Sequence, residues 1–241
     1  MIEHISANRQ DNAAVYNCLI PDFFRSISSF SNNYISLRHG FAGSNLEGVL
    51  VGSKETDCPK YGLTFEGRRE AEFKIHKFIT TNSNVDFFTQ QGVILCTSPF
   101  YRARQTTEIL QQILAGALDV TALTIEADEL TDRFFGDLEG ASVTEWNIFR
   151  EADLEDPFRS IRNAETVADL FERLARLIVG LEKAYKGKTV FLISHADPIQ
   201  CLQALFGKLF SRHYSEIAQS VNSEARIIYP PCHSGCGNPR S

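Results

Sequence analysis

Tyr34-Ile35-Ser36-Leu37-Arg38-His39-Gly40 and Val190-Phe191-Leu192-Ile193-Ser194-His195-Ala196 are two short apolar runs, each emptying onto a histidine. A third, Val93-Ile94-Leu95-Cys96-Thr97, empties into Ser98-Pro99-Phe100-Tyr101-Arg102-Ala103. Apolar runs of this length, bounded by polar and turn-forming residues, read as β-strands. In an open α/β sheet the reactive crevice lies outside the carboxyl ends of the strands. Three such ends would deliver His39, His195, Arg38 and Arg102 to one place, which is a constellation for a phosphoryl group.

Between these runs lie helical patterns, and the alternation predicts a largely parallel sheet. Thr64-Phe65-Glu66-Gly67 caps a helix running through Ile79, with Phe65, Ala71, Ile75 and Phe78 apolar and Arg68, Arg69, Glu72 and Lys77 toward solvent. Ser98 followed by Pro99 reads as N-cap and first residue of a helix to about Leu114. A long helix from Glu165 to Tyr185 carries Val167, Leu170, Phe171, Leu174, Leu177, Ile178 and Leu181 as its core stripe, with Gly187 as its stop. Pro198 opens another helix through Phe206, and a last strand spans residues 225–229. The expected fold is α/β: a mostly parallel central sheet with helices on both faces and inserted pocket loops. Residues 34–229 form the expected domain, preceded by an N-terminal extension (1–33) and followed by a flexible, turn-rich tail (230–241). Segments 41–62 and 131–162 are too long for plain connections and are expected to wall the pocket. No internal repeat is visible.

Composition narrows the function classes. The chain has 241 residues, 43% of them hydrophobic and 22% charged, with a formal net charge of -6. That charge argues against nucleic acid or an acidic membrane as a partner, while leaving room for a local basic pocket. The opening residues lack a secretory signal, and no apolar run approaches spanning length, so a cytoplasmic location is expected. Cys18, Cys58, Cys96, Cys201, Cys232 and Cys236 show no framework spacing, which favours reduced thiols.

Four segments occur in order: Arg38-His39-Gly40; Ser98 to Thr107 with Arg102 at its centre; Leu130-Thr131-Asp132-Arg133-Phe134-Phe135-Gly136-Asp137-Leu138-Glu139-Gly140; and Ser194-His195-Ala196-Asp197-Pro198. Together with Asn45, Leu63-Thr64-x-x-Gly67, and Ala164-Glu165-Thr166 with Arg173 downstream, they resemble the histidine phosphatase superfamily, the phosphoglycerate mutase-like proteins. The resemblance spans roughly residues 34–229. It implies a phosphoglycerate mutase-like fold, His39 as a nucleophile that becomes a phosphohistidine, and a phosphate pocket made by Arg38, Arg102 and His195. It also implies Asn45 as a secondary phosphate donor and Asp132 as the acid. In that position the mutase branch has Glu, so the carboxyl is kept on a shorter arm, and Glu129, Asp137 and Glu139 remain alternatives. Ala196 stands where the family usually has Gly, which matters to phosphate binding only if its backbone must adopt a glycine-like angle.

The chemistry is consistent with this. A phosphomonoester carries about -1.5 to -2 charges near neutrality, and guanidinium groups bind its oxygens bidentately. At an effective dielectric near 20, each such contact at ~4 Å is worth on the order of 4 kcal/mol per unit charge before desolvation. A neutral imidazole can attack phosphorus, and His195 as an imidazolium would spread charge over the equatorial oxygens. One carboxyl can protonate the leaving alkoxide and later deprotonate water. His4, His76, His213 and His233 read as ordinary surface or core histidines, and Arg104, about 200° around the helix from Arg102, as a solvent or salt-bridge residue. Cys232-His233-x-x-Cys236 supplies too few ligands for a structural zinc, and Gly48-x-x-x-Gly52-Ser53-Lys54 has the wrong spacing for a Walker A loop.

The reading is therefore a metal-independent phosphomonoesterase acting on a small phosphorylated metabolite, with no cofactor and no assigned oligomeric state. The alternatives are a phosphoglycerate-type mutase and a catalytically silent phospholigand-binding relative. The acidic stretch at residues 144–157 disfavours a doubly anionic substrate and so favours hydrolysis over mutase chemistry.

Overall fold

The computed structural model describes residues 21–82, 88, 92–207 and 219–229. His4, His213, His233, Cys18, Cys232, Cys236 and the tail at 230–241 lie outside the described residues. Five strands form one sheet: β1 (Asn33–Arg38), β2 (Val93–Thr97), β3 (Leu123–Glu126), β4 (Thr189–Ser194) and β5 (Ala225–Tyr229), in the order β3-β2-β4-β1-β5. All neighbours are parallel except β5, which runs antiparallel to β1.

The apolar runs are nearly continuous because both faces of the sheet are covered. Ile35, Leu37, Val93, Leu95, Phe191 and Ile193 pack on α3 (Phe65–Thr81) and α4 (Tyr101–Leu118). Tyr34, Ile94, Cys96, Val190 and Leu192 face the other way, onto α6 (Val167–Ala184) and α7 (Ala196–Gly207). The remaining helices are short: α1 (Asp22–Arg25), α2 (Gly43–Glu47) and α5 (Asn147–Glu155). Phe24 and Phe30 are buried in the α6–α7 core, so this part of the expected N-terminal extension is built into the fold.

Several expectations shift in detail. Thr64 caps α3 as read, its Oγ1 accepting from Gly67 N at 2.9 Å, but Phe65 is 71% exposed and the buried stripe is Gly67, Ala71, Ile75 and Ile79. Gly67 is required there: a Cβ would lie 1.9 Å from Phe41 O. The helix after β2 starts at Tyr101, not Pro99, and runs on to Leu118; Ser98 Oγ accepts from Phe100 N at 3.3 Å, just ahead of it. Thr166, not Glu165, caps α6, accepting from Asp169 N at 3.0 Å, and Glu165 is freed for an ion pair. The helix read as opening at Pro198 begins two residues earlier, at Ala196. Strand β3 and helix α5 were not expected. The first is a largely exposed edge strand of four residues, and the second buries only Phe149, Ala152 and Asp153.

Candidate active site

The sheet order explains the site. Strands β2, β4 and β1 are adjacent, and their pairing sets Thr97 opposite Ile193 and Arg38 opposite Ser194. The residues that follow each strand therefore emerge at one level of one edge. His39 N bonds Ser194 O at 3.0 Å and Ser98 N bonds Ile193 O at 2.9 Å, stitching the three exits together. Arg38, His39, Asn45, Arg102, Asp132 and Ala196 line one cavity of about 190 Å³. His195 stands against it, its ring centroid 5.1 Å from that of His39. All seven residues singled out from the sequence are thus brought together.

Arg102, fully enclosed, organises the cluster. Its Nε donates toward His39 Nε2 at 3.2 Å and His195 Nδ1 at 3.1 Å, and its Nη2 donates to Val51 O at 2.8 Å and Asp132 Oδ2 at 3.3 Å. These contacts assign the tautomers. His39 Nδ1 faces only a carbonyl acceptor, Gly40 O at 2.7 Å, so it carries the proton and Nε2 keeps its lone pair. His195 Nδ1 accepts from Arg102, so its Nε2 carries the proton and donates to Ser98 Oγ at 2.9 Å. Burial first, then the Arg102 guanidinium, push both imidazoles well below their ordinary pKa. The same surroundings favour the neutral form of His195, and the fixed positive charge resides on the arginines. Arg38 Nη1 donates to Ser220 O at 2.6 Å, while Arg38 Nε and Arg102 Nη1 are buried donors with no hydrogen-bond acceptor among the described residues.

Of the four carboxyls considered as the acid, only Asp132 lines the cavity. Glu139 is consumed by loop backbone, accepting from Gly52 N at 3.0 Å and Phe135 N at 2.9 Å, and Asp137 accepts from Asn163 Nδ2. Asp132 Oδ1 accepts from Arg133 N at 3.0 Å, and Oδ2 lies 3.7 Å from His195 Nδ1. Burial, which outweighs the opposing pull of Arg102, pushes the Asp132 carboxyl up to about 7, with Asp197 adding to the rise. Its backbone is clamped from below: Arg173 donates to the carbonyls of Glu129, Thr131 and Asp132 while pairing Glu165 at 2.6 Å. Asn45 Oδ1 accepts from Ala42 N at 3.0 Å and Asn222 Nδ2 at 3.4 Å, which turns its amide nitrogen away from those donors. Ala196 is the first residue of α7 and has no positive φ, so its methyl carries no strain.

Sequence reasoning missed four contributors. Asp57 lies 3.6 Å from Arg102 Nη1 and accepts Tyr101 N at 3.0 Å, tying the start of α4 to segment 41–62. Ser98 holds His195, and Thr106 Oγ1 receives Gly40 N at 3.0 Å. Asp197, quoted within the second histidine motif but given no role, also lines the cavity. Both long segments do wall the pocket, through Val49, Leu50 and Val51 on one side and Phe135, Val143 and Trp146 on the other. The acidic residues of the stretch 144–157 do not face it; Asp153 is instead buried in a two-pronged pair with Arg133, at 2.6 and 2.8 Å. Arg104 pairs loosely with Glu126 at 3.9 Å, and His76 is exposed, both as read.

A sheet edge that holds two imidazoles against a buried guanidinium, under a cavity lined by a carboxyl whose pKa burial raises, defines an α/β protein with a two-histidine anion pocket. The family model of the histidine phosphatase superfamily (branch 1) matches residues 35–233, and the chain belongs to that superfamily. A curated relative, "Uncharacterized phosphatase PhoE" of Bacillus subtilis, is 29% identical over 166 residues, 69% of this chain and 72% of that protein. Among solved structures, a mycobacterial glucosyl-3-phosphoglycerate phosphatase superposes with a TM-score of 0.60 at 18% identity, covering 80% of this chain and 88% of its own. A phosphoserine phosphatase of Entamoeba histolytica, solved with 3-phosphoglyceric acid, gives 0.58 at 22% identity over 80% and 88%. These likenesses carry the fold. Among the described residues no helix is long and apolar enough to cross a membrane.

Proposed function

We propose that this chain is a metal-independent phosphomonoesterase that hydrolyses a small phosphorylated metabolite through a phosphohistidine on His39. The observation that carries the reading is the His39 Nε2 lone pair, held toward Arg102 in a cavity that Arg38 also lines. A phosphate dianion there takes up the guanidinium donors, including the buried, unaccepted Arg38 Nε and Arg102 Nη1. Asn45 adds its amide to the oxygens. His39 Nε2 then attacks phosphorus in line, forming the N–P bond as the ester P–O bond breaks. Gly40 O steadies the Nδ1 proton as charge develops on the ring.

The departing alkoxide needs a proton, and Asp132, raised to about 7, supplies it. The carboxylate so formed takes a proton from water, whose oxygen attacks the phosphohistidine; inorganic phosphate leaves and neutral His39 returns. His195 is a positioning group: it accepts from Arg102 at Nδ1 and donates to Ser98 at Nε2, which fixes the guanidinium that faces the developing charge. Two arginines supply the positive charge that a divalent cation provides in other phosphoryl-transfer sites.

The family and the phosphatase names of its relatives support hydrolysis as the activity class. The test is release of phosphate from an aryl phosphate in excess chelator. Sustained turnover is expected, and a requirement for added divalent metal contradicts the mechanism. Isomerisation of a phosphoglycerate faster than its hydrolysis would replace this reading with the mutase one.

A further inference from the structure

We infer that Asp197 makes this site selective for phosphomonoesters whose carbon skeleton carries an ammonium group, against those carrying a second acid group. The inference rests on the phosphatase reading above and names the substrate class for the same pocket. Asp197 is the second residue of α7, only 7% exposed, yet it lines the cavity. Trp146 Nε1 donates to its Oδ2 at 3.1 Å, and Gln219 Nε2 lies 3.5 Å from its Oδ1. A carboxylate accepts about four hydrogen bonds, so each oxygen keeps acceptor capacity that these contacts do not use. An indole N–H is a donor only, and it fixes the carboxylate's orientation across the pocket from segment 131–162.

The charge count of the lining decides the sign. Among the described lining residues the only cations are Arg38 and Arg102, and the mechanism assigns both to the phosphate. Asp132 carries a proton at the start of the reaction. Burial raises the Asp197 carboxyl as well, against the pull of Arg133 and the Trp146 Nε1 bond; with the proton on Asp132, Asp197 is the acid group left to carry charge beyond the phosphate, and the other walls are Val49, Leu50, Phe135, Val143 and Trp146. A carboxylate or second phosphate on the substrate would meet one buried negative charge and no described cation, in a setting where charges are weakly screened. An ammonium group would find an oriented acceptor and, beside it, an indole face suited to cations. This moves the acidity that the sequence located in residues 144–157 to a side chain that touches the cavity.

The experiment compares kcat/KM for O-phosphoethanolamine, glycerol phosphate and 3-phosphoglycerate, which offer an ammonium, neutral hydroxyls and a carboxylate. Each is measured on the full chain and on Asp197→Asn. The expected wild-type order is ammonium, then hydroxyl, then carboxylate, with more than tenfold between first and last. Asp197→Asn should collapse that ratio at least tenfold. Because the ratio is read within one protein, losses common to all substrates cancel. Trp146→Phe, which frees the carboxylate to turn, should lower the ratio by less. A wild-type ratio at or below one overturns the inference even if Asp197→Asn does not fold, and so does an unchanged ratio in that variant. Turnover of an aryl phosphate with a flat ratio overturns the selectivity alone, whereas no turnover of any monoester overturns the phosphatase reading with it.

Discussion

Replacing Asp132 by Asn keeps the shape of the side chain and removes its proton, so the consequences can be worked from its surroundings. With the carboxyl held up to about 7, it is half protonated at neutrality and loses about tenfold in acid form for each pH unit well above. The substrate's second phosphate ionisation, near pH 6, sets the other limb. For an alkyl ester, kcat/KM should therefore peak between about pH 6 and 7 and fall tenfold per unit on the alkaline side. His39, pushed well below its ordinary value, stays neutral across this range and contributes no limb of its own. In Asp132→Asn the alkaline limb should vanish and the alkyl-ester kcat/KM should drop by about 10²–10⁴, the usual contribution of a positioned acid. An aryl ester, whose leaving group departs without help, should lose much less in kcat/KM. Its hydrolysis should instead show a burst of phenol, because the second step still lacks its base. Stopped-flow and steady-state profiles on one alkyl and one aryl substrate make the comparison. Equal losses on both substrates, or an alkaline limb that survives the substitution, would falsify the assignment of Asp132.

Other perturbations test the frame around the chemistry. His39→Ala should lower kcat/KM on the order of 10⁴–10⁶-fold and abolish acid-labile incorporation of substrate phosphorus into the protein, read by rapid quench. Asp153→Ala removes the buried carboxylate that takes both Arg133 Nη groups and should cost about 3–5 kcal/mol in chemical denaturation, with reduced activity because Arg133 N positions Asp132. Glu182 receives Ser31 N and Oγ, Asn32 N and Nδ2, and Tyr34 OH, so Glu182→Gln turns an amide toward donors and should cost on the order of 3 kcal/mol, or about 6–12 °C in Tm. These bonds hold the folded pKa of Glu182 below its unfolded value despite burial, so the stabilisation is complete above about pH 4.5 and is lost as pH falls through the depressed value. The gap between wild type and Glu182→Gln should accordingly be widest near neutrality and close in acid melts.

The parts of the fold that were legible in the sequence are those whose burial is two-sided. Strands β1, β2 and β4 sit in the middle of the sheet, so nearly every residue is buried and their apolar runs stand out. Leu123-Thr124-Ile125-Glu126 has one neighbour and mostly exposed side chains, leaving a four-residue strand with no pattern to see. Helix α5 was hidden for a related reason: part of its buried face is Asp153, a charge paired with Arg133 from outside the helix. The start of α4 was misplaced because Ser98-Pro99 resembles a cap and first helical residue, while the Ser98 hydroxyl holds Phe100 N and His195 ahead of the first turn.

The site divides along the same line, between what a side chain is and what its neighbours make of it. His39, His195, Arg38 and Arg102 are found from sequence because they sit at or just beyond strand ends, whose position the sheet dictates. Which of Glu129, Asp132, Asp137 and Glu139 faces the cavity depends on short 3-10 turns at 128–130 and 136–138, beyond any periodicity. Protonation is further removed still, since the state of His195 follows from burial and from guanidiniums contributed by β1 and α4. That division has a chemical logic. A nucleophilic imidazole needs its lone pair, and a dianion needs fixed positive charge; one histidine cannot supply both at once. Guanidinium remains charged even when burial disfavours it, so placing Arg102 Nε against both imidazoles keeps the positive charge on the arginine and the lone pairs on the rings. Gathering two histidines and two arginines from three strand exits is thus a separation of two tasks, and exchanging the partners would leave neither task performed.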